Sequence, residues 1–171
     1  FLKKEKGEEF LGVFSPLPRE GRVTALEKKK ESKNPPLLYN LAELQNECSK
    51  SLKISPDECL KLVQELYEKK MCTYPRTDAR VLSTAVAKEI GKNIQGLLSF
   101  SPYAKYAKEV LTMDSVKAIA RSRYTDDKKI TDHYAIIPTG QGAGQYNSLS
   151  YQGKRVLDFI IRRFLSIFYP A

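Results

Sequence analysis

The run Thr73-Tyr74-Pro75-Arg76-Thr77-Asp78 places a phenol, a guanidinium, two hydroxyls and a carboxylate within six consecutive residues. A tyrosine phenol ionises near pH ~10, so it is a weak nucleophile at neutral pH. It becomes useful where a neighbouring cation stabilises the phenolate, or the charge that builds on a phosphate under attack. Arg76 lies two residues on, and in an extended stretch residues i and i+2 share one side. Pro75 stiffens the chain between them, while Thr77 and Asp78 add groups able to orient the arginine or contact a phosphate. These types in this order suit transfer of a phosphate to tyrosine. A surface turn in which Tyr74 packs and Arg76 pairs with Asp78 accounts for the same residues.

Few other side chains compete for a chemical role. His133 is the only histidine. The cysteines are three, Cys48, Cys59 and Cys72, and none are spaced Cys-x-x-Cys, so neither a disulfide framework nor a zinc site is expected. Lys and Arg number 29 against 20 Asp and Glu, a net charge of +9 that favours polyanionic partners, nucleic acid before acidic membranes. The basic residues are spread over several segments, which predicts a folded basic surface rather than a tail. No window approaches the roughly 18 apolar residues of a membrane span, and Glu5, Glu8 and Glu9 interrupt any signal-peptide core. The chain is expected to be soluble, with no membrane partner. Beginning at Phe1 without a methionine, it reads as a piece of something larger.

The elements that must position Tyr74 are mostly helical. Residues 1–36 read as two short strands, Phe10–Phe14 and Val23–Leu26, around a turn containing Pro16, Pro18 and Gly21, then a polar linker ending at Pro35-Pro36. They are expected to belong to a neighbouring domain. From Leu37 the period becomes helical: Leu41, Leu44, Cys48 and Leu52 share one face. Ser55-Pro56-Asp57-Glu58 predicts a capped helix start, followed by a buried stripe of Leu60, Val63, Leu66 and Tyr67. These two make a helix-turn-helix-like pair. Further helices are expected from Ser83, from Ser101-Pro102, and from Tyr151 to Phe168, the last with Val156, Ile160, Phe164 and Phe168 as its stripe. The glycine-rich stretch 126–146 is expected to be irregular. The fold class is therefore mainly α with a small β portion, and residues 37–171 form the helical domain that carries Tyr74.

The six-residue run resembles the active-site signature of type IA DNA topoisomerases. Leu38-Tyr39-Asn40-Leu41 with Leu44-Gln45, and then Gln64-x-Leu66-Tyr67-Glu68, is similar to the family's approach to its tyrosine. Asp132-His133-Tyr134-Ala135-Ile136-Ile137-Pro138-Thr139 resembles its His-x-Ala-Ile-x-Pro-Thr element, and Arg162-Arg163-Phe164-Leu165 through Tyr169-Pro170 is similar to its exit from this domain. The likeness covers most of residues 37–171 and is closest to the topoisomerase III branch. It implies a winged-helix-like domain whose Tyr74 attacks single-stranded DNA and becomes joined to a 5′ phosphate, without ATP, so that strands pass and are religated. It also implies that Arg76 stabilises the phosphate charge and His133 contacts the DNA backbone. Thr73, Thr77, Asp78 and Thr139 are then expected to bind or position DNA.

Three positions depart from the family: Ala79 replaces a usual serine, Tyr134 stands where His or Glu is common, and Cys59 replaces a common threonine. The family's acidic magnesium ligands, a glutamate and an Asp-x-Asp set, have no counterpart in these residues. The resemblance therefore implies magnesium in the full enzyme, held by a domain absent here, and a fragment inactive alone. It also implies a cytoplasmic, nucleoid-associated parent whose remaining domains are this chain's partners; no oligomeric state follows. The competing expectation is a non-catalytic winged-helix DNA-binding module, which leaves the Tyr74 and His133 runs unexplained.

Overall fold

The computed structural model describes residues 3–14 and 22–171. The chain divides into two units, Phe1–Glu31 and Ser32–Ala171. In the first, Lys4–Phe14 is a helix, α1. This corrects the strand expected at Phe10–Phe14. A short apolar run does not distinguish helix from strand, and here Lys4, Glu5, Lys6, Glu8 and Glu9 extend it with good helix formers. Lys4 Nζ lies 3.6 Å from Glu8 Oε1, one turn on. Val23–Leu26 is not a strand either: it is exposed, and among the described residues no neighbour pairs with it. The expected turn with Pro16, Pro18 and Gly21 lies outside the described residues.

The second unit is built from six further helices: α2 Leu41–Leu52, α3 Pro56–Glu68, α4 Thr84–Gly96, α5 Ala104–Leu111, α6 Asp114–Ala118 and α7 Tyr151–Ser166. The cap expected at Ser55 forms, and three more helices start on side-chain caps. Asn40 accepts from the Glu43 N–H, Ser55 from Glu58, Ser83 from Val86 and Ser150 from Gly153. Each satisfies a backbone donor that the first turn would otherwise leave unpaired. The fourth helix near Ser101-Pro102 begins only at Ala104, with a turn before it.

One core joins them. Leu44 and Cys48 of α2, Cys59, Val63 and Leu66 of α3, and Ile90 and Ile94 of α4 are buried with Val156, Ile160, Phe164 and Phe168. Cys48 and Cys59 behave as small apolar residues in this core, as their helical positions suggest. Arg163 of α7 is used within the fold: its guanidinium lies 4.1 Å from the Tyr39 ring centroid. It donates to the Leu37 carbonyl at 3.0 Å and to the Tyr39 hydroxyl at 3.1 Å. Burial pushes the Tyr39 phenol up to about 12, against the opposing pull of Arg163.

Among the described residues strand structure is reduced to isolated bridges, Tyr39 with Ile136, Cys72 with Pro138 and Leu82 with Thr125. The segment 135–139 is held deep between helices, and a glycine contact seats it. Gly140 has φ 79°, and a Cβ on it would lie 2.7 Å from the Asn93 oxygen and 2.8 Å from Gly96 Cα. A Cβ on Gly96 would lie 2.3 Å from the Gly140 oxygen. The end of α4 and this turn therefore touch backbone to backbone. Gly96→Ala is expected to destabilise the fold by about 1–3 kcal/mol through overpacking. Gly91→Ala, in the same helix with open space around it, is expected to stabilise it slightly; urea unfolding of both variants checks the difference.

Candidate active site

The Tyr74 segment begins where α3 stops. Lys70 N–H donates to the Tyr67 carbonyl at 2.8 Å and Met71 N–H to Leu66 at 2.8 Å, closing the helix and turning the chain into an extended run. This run faces 133–139 in one antiparallel register: Met71 opposite Thr139, Thr73 opposite Ile137, Thr77 opposite His133. The ladder runs from the Met71–Thr139 pair to Thr73–Ile137 and stops there, because Pro75 has no N–H to donate to the next pair. Threonine hydroxyls supply the missing cross-links. Thr73 Oγ1 donates to the Ala135 carbonyl at 3.1 Å and accepts from Ile137 N–H at 3.0 Å. Thr77 Oγ1 donates to the His133 carbonyl at 2.6 Å and accepts from Ala79 N–H at 3.1 Å. Thr139 Oγ1 donates to the Lys70 carbonyl and accepts from Gln141 N–H.

These braces fix which side chains meet. The rings of Tyr74 and His133 lie 4.5 Å apart at a tilt of 46°. On another side the Tyr67 ring meets Tyr74 edge-on at 5.5 Å. Tyr67 was expected in the buried stripe of α3; it is 39% exposed and turns to the nucleophile candidate instead. Tyr67, Lys70, Tyr74, His133, Tyr134 and Gln141 line an open cavity of about 500 Å³.

Arg76 is not in that cavity wall. Thr77 N–H donates to the Pro75 carbonyl at 3.0 Å, a tight turn that interrupts the extended alternation on which a shared side depended. Arg76 lines a neighbouring groove of about 340 Å³ with Asp57, Leu60, Lys61 and Gln64 of α3. Its side chain is exposed, as is Asp78, whose backbone carbonyl accepts from the Asn40 side chain at 3.1 Å. Nothing in the structure pairs Arg76 with Asp78, so the self-satisfied surface turn is not what forms.

Local electrostatics leave the phenol without a rival. Cys72 borders the cavity but is buried, which pushes its thiol up to about 12. Burial likewise raises Tyr134. The hydrogen bond between Cys48 and Cys59 raises Cys48, helped by burial, and lowers Cys59, but both thiols are fully buried in the core and neither lines the cavity. Among the described residues no three His, Cys, Asp or Glu side chains gather as metal ligands. Among the described residues the acidic groups therefore do not form a magnesium cage.

The phenol and the imidazole thus share one open cavity, and the guanidinium lies in a separate groove. Comparison with known proteins gives the family. The family profile for DNA topoisomerase matches residues 1–171. The chain belongs to the DNA topoisomerase family. It is 36% identical over 150 residues to DNA topoisomerase 3 of Bacillus subtilis strain 168, covering 87% of this chain and 20% of that protein. DNA topoisomerase 3 of Bacillus cereus strain ATCC 14579 is 32% identical over 167 residues, covering 96% of this chain and 22% of that protein. The chain thus spans about a fifth of the length of these topoisomerases. No described helix is long and apolar enough to cross a membrane.

Within this topoisomerase segment, the six-residue run and the His133 run were both readable, but the work of the threonines was not. Tyr67, Lys70 and Gln141 were also missed as cavity residues. The signal for Lys70 was available: a lysine follows a helix where a glycine would suit the turn. The braces make a direct expectation. Thr77→Val removes the hydroxyl that holds His133 while keeping its shape. It is expected to lower stability by about 1–2 kcal/mol and to shift the His133 ring proton resonances; Thr77→Ser is expected to restore both.

Proposed function

We propose that this chain is the tyrosine-bearing portion of an ATP-independent type IA DNA topoisomerase, acting on single-stranded DNA. The observation that carries the reading is the ring contact of Tyr74 with His133 in an open cavity, held there by motif threonines. In the reaction, Tyr74 Oη attacks a backbone phosphorus. The bond to the 3′ oxygen breaks, that oxygen leaves with a proton as a 3′ hydroxyl, and the 5′ phosphate stays on the tyrosine. Religation is the reverse. One phosphodiester replaces another, which is why no nucleotide need be hydrolysed.

His133, exposed beside the phenol, contacts the DNA backbone at the scissile position. Arg76 neutralises phosphate charge from the adjoining groove, its planar donors suiting two non-bridging oxygens. Thr73, Thr77 and Thr139 serve DNA by positioning, because their hydroxyls already donate and accept within the chain. Asp78 stands exposed beside them as a weaker contact. Magnesium and the acidic groups that hold it belong to other domains of the parent, and residues 1–36 form a flank leading to one of them. The parent works at the nucleoid, in the cytoplasm. The exposed face of α3 borders the Arg76 groove, so the helix pair serves the same strand rather than a separate duplex-reading module.

Two measurements test this. The chain is expected to bind a labelled single-stranded oligonucleotide in preference to duplex, with Arg76→Ala weakening the binding and flattening its salt dependence by about 0.7 in log–log slope. With magnesium and supercoiled plasmid it is expected to relax nothing alone. Preference for duplex, or relaxation by the isolated chain, contradicts the reading.

A further inference from the structure

Lys70 sits in the left-handed region at φ 58°, directly after α3. Glycine suits that position, because a Cβ there crowds the following carbonyl. Closing the helix uses only the backbone of Lys70, through its N–H to Tyr67 and the Met71 N–H to Leu66. The helix dipole favours a cation at this end, but the cap's hydrogen bonds make no use of the lysine side chain. The neighbouring Lys69 ammonium pairs with Glu65 at 3.5 Å, whereas among the described residues no carboxylate pairs with Lys70.

The backbone at this point is clamped from outside the helix. The Thr139 hydroxyl donates to the Lys70 carbonyl, and Thr139 N–H donates to Met71 at 3.1 Å. Gly142, at φ 80°, passes so close that a Cβ on it would lie 2.7 Å from the Lys69 oxygen. The clamp holds Lys70 in a conformation its side chain disfavours, and that exposed side chain lines the Tyr74–His133 cavity. That cavity has no arginine in its wall; Arg76 serves the other groove. Glu68 adds a carboxylate to the same wall, where it accepts from the Gln64 side chain at 3.2 Å, so a strand entering the cavity would need a cation to offset it.

We propose that Lys70 binds a backbone phosphate of single-stranded DNA in the Tyr74 cavity, so that cations grip the strand in both adjoining cavities. The proposal rests on the topoisomerase reading above and adds a residue to it. A lysine suits this task as a point charge on a flexible stem, which needs no fixed geometry around the phosphate.

The backbone strain supplies an unusual test. Lys53 has the same backbone conformation, φ 59°, after α2, but is not part of the cavity wall. Lys70→Gly and Lys53→Gly remove the same charge and relieve the same crowding. Fluorescence anisotropy with a labelled single-stranded oligothymidylate, and urea unfolding, are measured on both, with Lys70→Arg and Arg76→Ala alongside. Both glycine variants are expected to match or exceed the starting urea midpoint. Only Lys70→Gly is expected to weaken binding several-fold and flatten the salt slope by about 0.7, while Lys70→Arg retains binding. Lys70→Asn, which also tolerates this backbone state, repeats the charge loss if the glycine variant folds poorly. Unchanged binding on loss of Lys70, or an equal loss with Lys53→Gly, overturns the proposal. If Arg76→Ala weakens binding while Lys70→Gly does not, Lys70 alone is wrong; if neither does, the reading of the whole site fails with it.

Discussion

Pro75 ends a two-bond ladder between the Tyr74 run and the His133 run, and threonine hydroxyls continue the cross-links where backbone donors stop. This substitution is the constraint from which the site follows. A ladder would present alternating side chains along a regular edge. Thr73, Thr77 and Thr139 instead pin the two runs at three points, each giving one proton and taking another. Each such bond contributes only about 1 kcal/mol net. Their value lies in register, since a slip of one residue would turn His133 away from Tyr74.

The helices make that pinning rigid. Arg163 on α7 ties Leu37 and Tyr39, Tyr39 accepts from Ile136 N–H at 2.8 Å, and Val81 accepts from Ala135 N–H at 3.0 Å. Asn93 of α4 donates to the Pro138 carbonyl at 2.9 Å, beside the Gly96–Gly140 contact. The segment carrying His133 is therefore bonded along its buried length to three parts of the second unit. Only its start, through Asp132 and His133, is exposed. Rigid backbone beneath these side chains is what the proposed transesterification requires, because attack depends on placing the phenol in line with a leaving oxygen.

Much of this was legible beforehand. The periods of α2, α3, α4 and α7 and the Ser55 cap of α3 marked real helices, because apolar spacing and capping chemistry are local. The strand expectation for Phe10–Phe14 failed on the same locality: five apolar residues carry no decisive period, and the charged helix formers before them decided the outcome. Tyr67 matched the buried stripe by spacing, yet its ring packs on Tyr74, a partner outside its own helix. Arg76 was expected beside Tyr74 from extended geometry, which the Pro75–Thr77 turn interrupts. The threonine braces join residues about sixty positions apart, and no local pattern encodes them.

The account turns on Tyr74 being the atom donor to phosphorus rather than a packing ring. The direct measurement is a denaturing trap of the enzyme with its remaining domains restored, using single-stranded DNA labelled at its 3′ end and peptide mapping of the product. The account predicts a label attached to the peptide containing Tyr74 and abolished in Tyr74→Phe. A covalent adduct that persists in Tyr74→Phe, or maps to another residue, contradicts it.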